Sequence, residues 1–92
     1  MSHLEDDFRK AQQQVQALGE QQGRIVQLRL HALFMQATHG NVSGPRPGFS
    51  DFEGRSRWDA WQALGGMTHE DAMAEYIAEA ARLTYRQMLG TV

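Results

Sequence analysis

The chain has 92 residues, no cysteine and a formal net charge of −2, with 11 acidic residues against nine basic ones. This length predicts a single domain over residues 1–92, and the lack of cysteine excludes disulfides and thiolate sites. Without a basic stripe we expect no nucleic-acid partner, and no apolar run approaches the roughly 18 residues of a membrane-inserted segment.

The N-terminal segment MSHLEDDFRK is acidic and amphipathic. A signal peptide has the opposite order, a basic start followed by an apolar run. We therefore expect a soluble protein that is not exported and that is cytoplasmic.

Apolar residues at helical spacing predict a first helix that ends near Gly19. They are Leu4, Phe8, Ala11, Val15 and Leu18. Ser2 and Glu5 have the spacing of a capping box at its start. A second helix is predicted from Gly23 or Arg24 to about Thr38. It is apolar on more sides than a surface helix needs, so we expect it to pack on the bundle and to face something else as well.

Residues 39–51, HGNVSGPRPGFSD, hold both prolines of the chain and three glycines, which predicts a loop. A loop of this length is either a binding segment or a crossover between helices. A third helix is predicted from Gly54 to Leu64, and a fourth begins at Thr68, with Asp71 at the third position of the cap. The fold class is thus all-α, a four-helix bundle with a long loop between helices 2 and 3.

The residues that could carry chemistry form no recognisable catalytic or metal-binding motif. The four histidines, His3, His31, His39 and His69, lack the spacing of a zinc helix, and no serine lies in a nucleophile elbow. We therefore predict no metal site and no enzymatic activity.

Two groups of residues suggest binding instead. Arg57 lies on the same helical face as Trp61 and Leu64, flanked by Trp58, and a cation there needs an anion. If nothing in the chain supplies that anion, a ligand does; alternatively, the arginine stem covers Trp61 while its head reaches water or an acidic partner.

On the second helix, His31, Phe34 and Met35 share a face by i, i+3 and i+4 spacing. This face lies beside the one that Leu28 and Leu33 give to the core. The alternative is that Phe34 and Met35 belong to one broad core face.

Four segments resemble the acyl-CoA-binding protein family, whose members are small four-helix bundles that hold long-chain acyl-CoA esters. They are QATHGN (36–41), RPG (46–48), FEGRSRWDAWQALGG (52–66) and THEDAMAEYI (68–77). The resemblance implies non-enzymatic binding, sequestration and transport of medium- to long-chain acyl-CoA. It implies a monomer with no cofactor other than this ligand.

The resemblance also assigns roles to individual positions. Arg57 stands where the family has a basic residue that binds CoA phosphate, and His31 and Phe34 stand where two aromatic residues face the nucleotide. Tyr76 matches the tyrosine that contacts the ligand. Leu28, Met35 and Trp58 are the apolar neighbours expected for the acyl tail, although Trp58 and Trp61 could equally be core residues.

The main departure from the family is Met35, which replaces a lysine that contacts the CoA phosphates. Losing a charge-assisted contact costs about 1.5 to 3 kcal/mol if nothing compensates. Arg24 or Arg55 could compensate. The departure leaves a second hypothesis open, a helical interaction module that keeps the fold but has lost strong ligand binding, whereas an enzyme acting on thioesters lacks a candidate nucleophile.

Overall fold

The structure is a computed structural model that describes residues 3–19 and 22–90. These residues form four helices: α1 (His3–Leu18), α2 (Arg24–His39), α3 (Phe52–Gln62) and α4 (His69–Gly90). No strand occurs among them, and residues 40–51 form the connection between α2 and α3. The predicted all-α fold is confirmed.

The ends of three helices follow the predicted signals. Gly19 and Gly40 both have positive φ, 76° and 83°, and the Gly40 N–H donates to the Gln36 carbonyl to close α2. At the start of α4, Thr68 Oγ1 accepts a hydrogen bond of 2.9 Å from the Asp71 N–H, as its capping position predicts. The capping box predicted from Ser2 involves a residue outside the described range.

Helix α3 begins two residues earlier than predicted. The Asp51 side chain caps it by accepting from the Gly54 N–H at 3.0 Å. A Cβ on Gly54 would lie 2.2 Å from Asp51 Oδ2, so this glycine belongs to the cap and does not begin the helix. The helix also ends at Gln62, before the predicted Leu64.

The core lies where α1 and α2 pack on α4. Its most buried members are small or aliphatic, with one aromatic residue from α1 and one from α4. They are Phe8, Ala11, Leu30, Ala32, Leu33, Ala37, Ala72, Tyr76, Ala80 and Leu83. Helix α3 packs on α2 and has no buried residue, so it lies on the outside of the bundle.

Hydrogen bonds centred on Gln36 and Asn41 join the end of α2 to the connection between α3 and α4. Gln36 is fully buried, and its Nε2 donates to Asn41 Oδ1 at 2.9 Å and to the Met67 carbonyl at 2.8 Å. Asn41 Oδ1 also accepts from the Gly66 N–H at 2.8 Å. We call these residues, Gln36, Asn41, Gly66 and Met67, the amide cluster.

Four further hydrogen bonds, from three side chains, hold α3 and α4 against α2 and the loop. Trp61 Nε1 donates to the Gly40 carbonyl at 2.7 Å, and His69 Nδ1 donates to the Ala37 carbonyl at 2.7 Å. In the loop, Arg46 contacts both carboxylate oxygens of Asp59, at 2.8 and 2.6 Å. This hydrogen-bonded guanidinium lowers the pKa of Asp59. The long loop is therefore attached to α3 near its middle.

Candidate functional site

A charged pocket of about 440 Å³ opens between the first half of α2 and the first half of α3. Its lining combines charged, amide and apolar side chains: Arg24, Gln27, Leu28, His31, Glu53 and Arg57. Three of the seven predicted ligand residues, Leu28, His31 and Arg57, therefore come together here. Of the two arginines considered as compensation for Met35, Arg24 lines this pocket and Arg55 does not.

The pocket contains its own anion. Glu53 Oε1 accepts from Arg24 Nη1, and Glu53 Oε2 lies 3.7 Å from Arg57 Nη1. Arg24 also donates through Nη2 to Ser56 Oγ at 3.0 Å. In the free protein the chain thus supplies an acidic partner for Arg57, which is the alternative that the sequence left open. The i, i+4 spacing of Glu53 and Arg57 was the signal that could have revealed the pair.

His31 lies in the same pocket and is half-buried. Its burial lowers the pKa of the imidazole below 6.5, and the nearby positive charge of Arg57 lowers that pKa further. The free protein therefore holds His31 mostly neutral at pH 7. A neutral imidazole still has one N–H that can donate to an anion.

An apolar groove of about 590 Å³ lies next to the pocket, between α2 and the second half of α3. Its lining is aliphatic apart from one arginine: Ile25, Leu28, Arg29, Ala32, Ala60, Ala63 and Leu64. Leu28 borders both the groove and the charged pocket. Ile25 is 82% exposed, so α2 presents an apolar side chain to solvent here, as its excess of apolar residues predicted.

Arg29 is the one charged residue of the groove, and α4 holds it in place. Its Nη2 lies 3.4 Å from Glu75 Oε2, and its Nε lies 3.8 Å from Glu79 Oε1. Glu79 also pairs with Arg82 at 2.5 Å. The guanidinium of Arg29 is thus directed to acidic partners on α4, and its stem contributes to the groove wall.

Two of the remaining predicted residues belong to an aromatic cluster. The ring of Phe34 stacks on Phe8 with centroids 6.2 Å apart, and Phe8 meets Tyr76 edge to face at 5.2 Å. Tyr76 is only 6% exposed and is part of the core, and this burial raises the pKa of its hydroxyl. The family resemblance implies a ligand contact for Tyr76, and the structure shows that its ring also packs in the core.

Met35 and Trp58 are half-buried and do not line the charged pocket. Met35 lies one turn beyond His31 on α2. The Nε1 of Trp58 is buried and donates to no atom in the part of the chain that the structure describes. An indole N–H of this kind is a free donor.

Within residues 3–19 and 22–90, no group of histidine, aspartate and glutamate side chains is arranged to hold a metal ion. In the same residues, no helix combines the length and apolar character that crossing a bilayer requires.

Comparisons with known proteins identify the family. The family model described as "Acyl CoA binding protein" matches residues 5–80. Acyl-CoA-binding domain-containing protein 6 of Mus musculus is 44% identical over 80 residues, 87% of this chain and 28% of that protein. Enoyl-CoA delta isomerase 2 of Rattus norvegicus is 43% identical over 77 residues, 84% of this chain and 20% of that protein. The chain thus spans less than a third of either relative.

Solved structures support the same family assignment. The crystal structure of Oryza sativa acyl-CoA-binding protein 2 superposes with a TM-score of 0.93 at 32% identity, covering 97% of this chain and 99% of that one. An acyl-CoA-binding protein from Moniliophthora perniciosa gives a TM-score of 0.77 at 36% identity, covering 86% of this chain and 76% of that one. The chain belongs to the acyl-CoA-binding protein family, which confirms the resemblance drawn from its motifs.

Proposed function

We propose that the chain is a single domain that binds long-chain acyl-CoA esters and holds them without chemical change. The observation that carries this proposal is the shared border of the charged pocket and the apolar groove at Leu28. An acyl-CoA has an anionic head group joined to an apolar tail. A cationic pocket that continues into an aliphatic groove matches both parts of such a molecule.

In the charged pocket, Arg57 and Arg24 are the groups proposed to bind CoA phosphate. A guanidinium is planar and permanently charged, so it can form two parallel bonds to phosphate oxygens. His31 adds a third donor, and Phe34, one turn along α2, is proposed to face the adenine with the exposed part of its ring. Met35 beside it supplies apolar contact in place of the family lysine.

In the apolar groove, burial of the acyl tail supplies the remaining affinity. Each methylene removed from water contributes about 0.8 kcal/mol, so chain length selects the ligand. Leu28 is proposed to contact the tail near the thioester. The half-buried indole of Trp58 is proposed as a second apolar neighbour of the tail, and the hydroxyl of Tyr76 as a polar contact to the ligand.

Calorimetric titration with palmitoyl-CoA and with free CoA tests the proposal. We expect saturable one-to-one heat with the ester and little heat with CoA, since the tail supplies much of the affinity. Absence of heat with both ligands would instead favour the hypothesis of an interaction module without a ligand.

Two variants locate the site within this experiment. Arg57→Ala is expected to weaken binding about tenfold, and Arg9→Ala, which removes an exposed arginine paired with Asp6 on α1, is the matched control with no change. Tyr76→Phe removes the hydroxyl but keeps the buried ring. It is expected to weaken binding while leaving the melting temperature nearly unchanged, whereas unchanged affinity would restrict Tyr76 to packing.

We propose further that the chain acts as a cytoplasmic monomer without a nucleic-acid partner, a bilayer-inserted segment or a cofactor. The proposal of a non-enzymatic role rests on membership of a family of binding domains. Incubation with palmitoyl-CoA tests it: release of the free CoA thiol above the spontaneous rate would contradict the proposal. Light scattering of the purified chain, with and without ligand, tests the monomer.

A further inference from the structure

The two arginines of the charged pocket share one internal carboxylate. Glu53 directs one oxygen to Arg24 and the other to Arg57, so a single anion bridges donors from two helices. A phosphate group with several oxygens would bridge two guanidinium groups in the same way. The protein therefore already fills, with its own side chain, the positions that a ligand phosphate is proposed to occupy.

The charge balance of the pocket leaves room for a stronger anion. Arg24 and Arg57 contribute two positive charges and Glu53 one negative charge, so one positive charge remains. Both arginines and Glu53 are about half exposed, so water screens the bridge and it can be broken at modest cost. Once displaced, the Glu53 carboxylate remains in the first turn of α3, where the helix dipole favours a negative charge.

We infer that Glu53 is a built-in competitor for the ligand phosphate, and that it determines how much affinity Arg24 and Arg57 deliver. This inference rests on the proposed function. Neutralising Glu53 removes the competitor without removing a cation.

The direct test is the affinity of Glu53→Gln for palmitoyl-CoA at low and high salt. We expect about threefold to tenfold tighter binding at low salt, with the gain shrinking at high salt because screening weakens exposed charge contacts. Glu70→Gln is the matched control: Glu70 is exposed and holds the same second position of its helix, α4, so the same chemical change there should leave the affinity unchanged.

Two further variants separate the bridge from a general effect of charge. Glu53→Asp keeps the charge but shortens the side chain, so it should weaken the bridge and give part of the gain. Arg24→Gln should cost about threefold more affinity in the Glu53→Gln background than in the wild type, because Arg24 is then free to bind phosphate. Unchanged affinity for Glu53→Asp would contradict the bridge.

The outcomes distinguish this inference from the proposed function. If the wild type binds palmitoyl-CoA and Glu53→Gln binds it equally or more weakly, the inference is overturned and the proposed function stands. A gain that is insensitive to salt also overturns it, since that gain would come from packing. Binding by Glu53→Gln alone supports it, because the competitor then prevents measurable binding in the wild type. No heat from either protein overturns both.

Discussion

The two halves of α2 are built for different tasks. In the first half, Arg24, Leu28 and His31 line a pocket open to solvent, and the charged groups pair with α3. In the second half, Leu33 and Gln36 have no exposed surface at all, and their contacts are apolar or neutral hydrogen bonds. Charge occurs where water and a ligand can reach, and neutral groups occur where the chain is packed.

This difference separates binding from folding along a single helix. Burying a charge is costly, so the second half of α2 uses a neutral amide as its buried polar side chain. The pocket end can keep cations because solvent and Glu53 stabilise them. Substitutions of the pocket-lining residues in the first half should therefore change ligand affinity, and substitutions of the fully buried residues in the second half should change the free energy of unfolding.

The largest expected effect is on stability, from Leu33→Ala. Leu33 is fully buried among α1, α2 and α4, so truncation removes apolar contacts and leaves a cavity. We expect a loss of about 2 to 5 kcal/mol from the free energy of unfolding, measured by urea denaturation. Leu28→Ala is the control in the other half: it should cost less stability but weaken palmitoyl-CoA binding. Equal losses of stability would remove the contrast between the halves.

A smaller loss of stability is expected from Gln36→Leu. This change removes the hydrogen bonds of Gln36 to Asn41 and to the partly buried Met67 carbonyl, and takes away the donor of that carbonyl. The expected cost is about 1 to 3 kcal/mol in the free energy of unfolding. Gln14→Leu, on the exposed face of α1, is the control and should change stability by less than about 0.5 kcal/mol. A neutral Gln36→Leu variant would show that the cluster is not needed for stability.

Local patterns in the sequence were sufficient for the fold. Helical spacing and the glycines at positions 19 and 40 located α1 and α2, because these signals act within a few residues. The predicted start of α3 was two residues too late. Glycine is a helix breaker, and the sequence alone did not show that Gly54 belongs to the Asp51 cap. The bond of His69 to the Ala37 carbonyl depends on tertiary packing, so no local pattern in the sequence indicated it.

The site was only partly predictable. The family resemblance named Leu28, His31 and Arg57, which the fold brings together, but it gave no indication that Glu53 would bridge Arg24 and Arg57. The Arg24 contact of that bridge joins α2 to α3 across 29 positions of sequence, and no local periodicity indicates such a contact. The roles of Phe34, Met35, Trp58 and Tyr76 toward a ligand stay predictions.

An effect on affinity alone is expected at Met35, which lies in the second half of α2 but is only half-buried. Met35→Lys restores a cation one turn from His31 and should tighten palmitoyl-CoA binding about tenfold at low salt through a charge-assisted bond. Met35→Gln is the control, because it removes the methionine without adding charge. If Arg24 and Arg57 already satisfy the phosphate, the added lysine will instead bring repulsion, and binding at low salt will be unchanged or weaker.

The smallest expected effect concerns His31 and pH. In the free protein, burial and Arg57 hold the pKa of His31 below 6.5, so the unfolded chain binds this proton more readily. The contribution of His31 to stability is therefore present above pH 6.5 and is lost as the pH falls below it. A phosphate in the pocket has the opposite effect, because its negative charge raises the pKa of His31 and favours proton uptake on binding.

Affinity for palmitoyl-CoA should therefore rise as the pH falls from about 7.5 to 5.5, while the stability of the free protein declines. The other groups facing His31 are Arg24, Arg57, Glu53 and Gln27; the arginines stay charged and the glutamine is neutral. Titration of the ligand phosphate is common to the wild type and to His31→Gln, so the ratio of the two affinities isolates the histidine. We expect that ratio to change about threefold over this range. A constant ratio would show that His31 binds no additional proton when the phosphate enters the pocket.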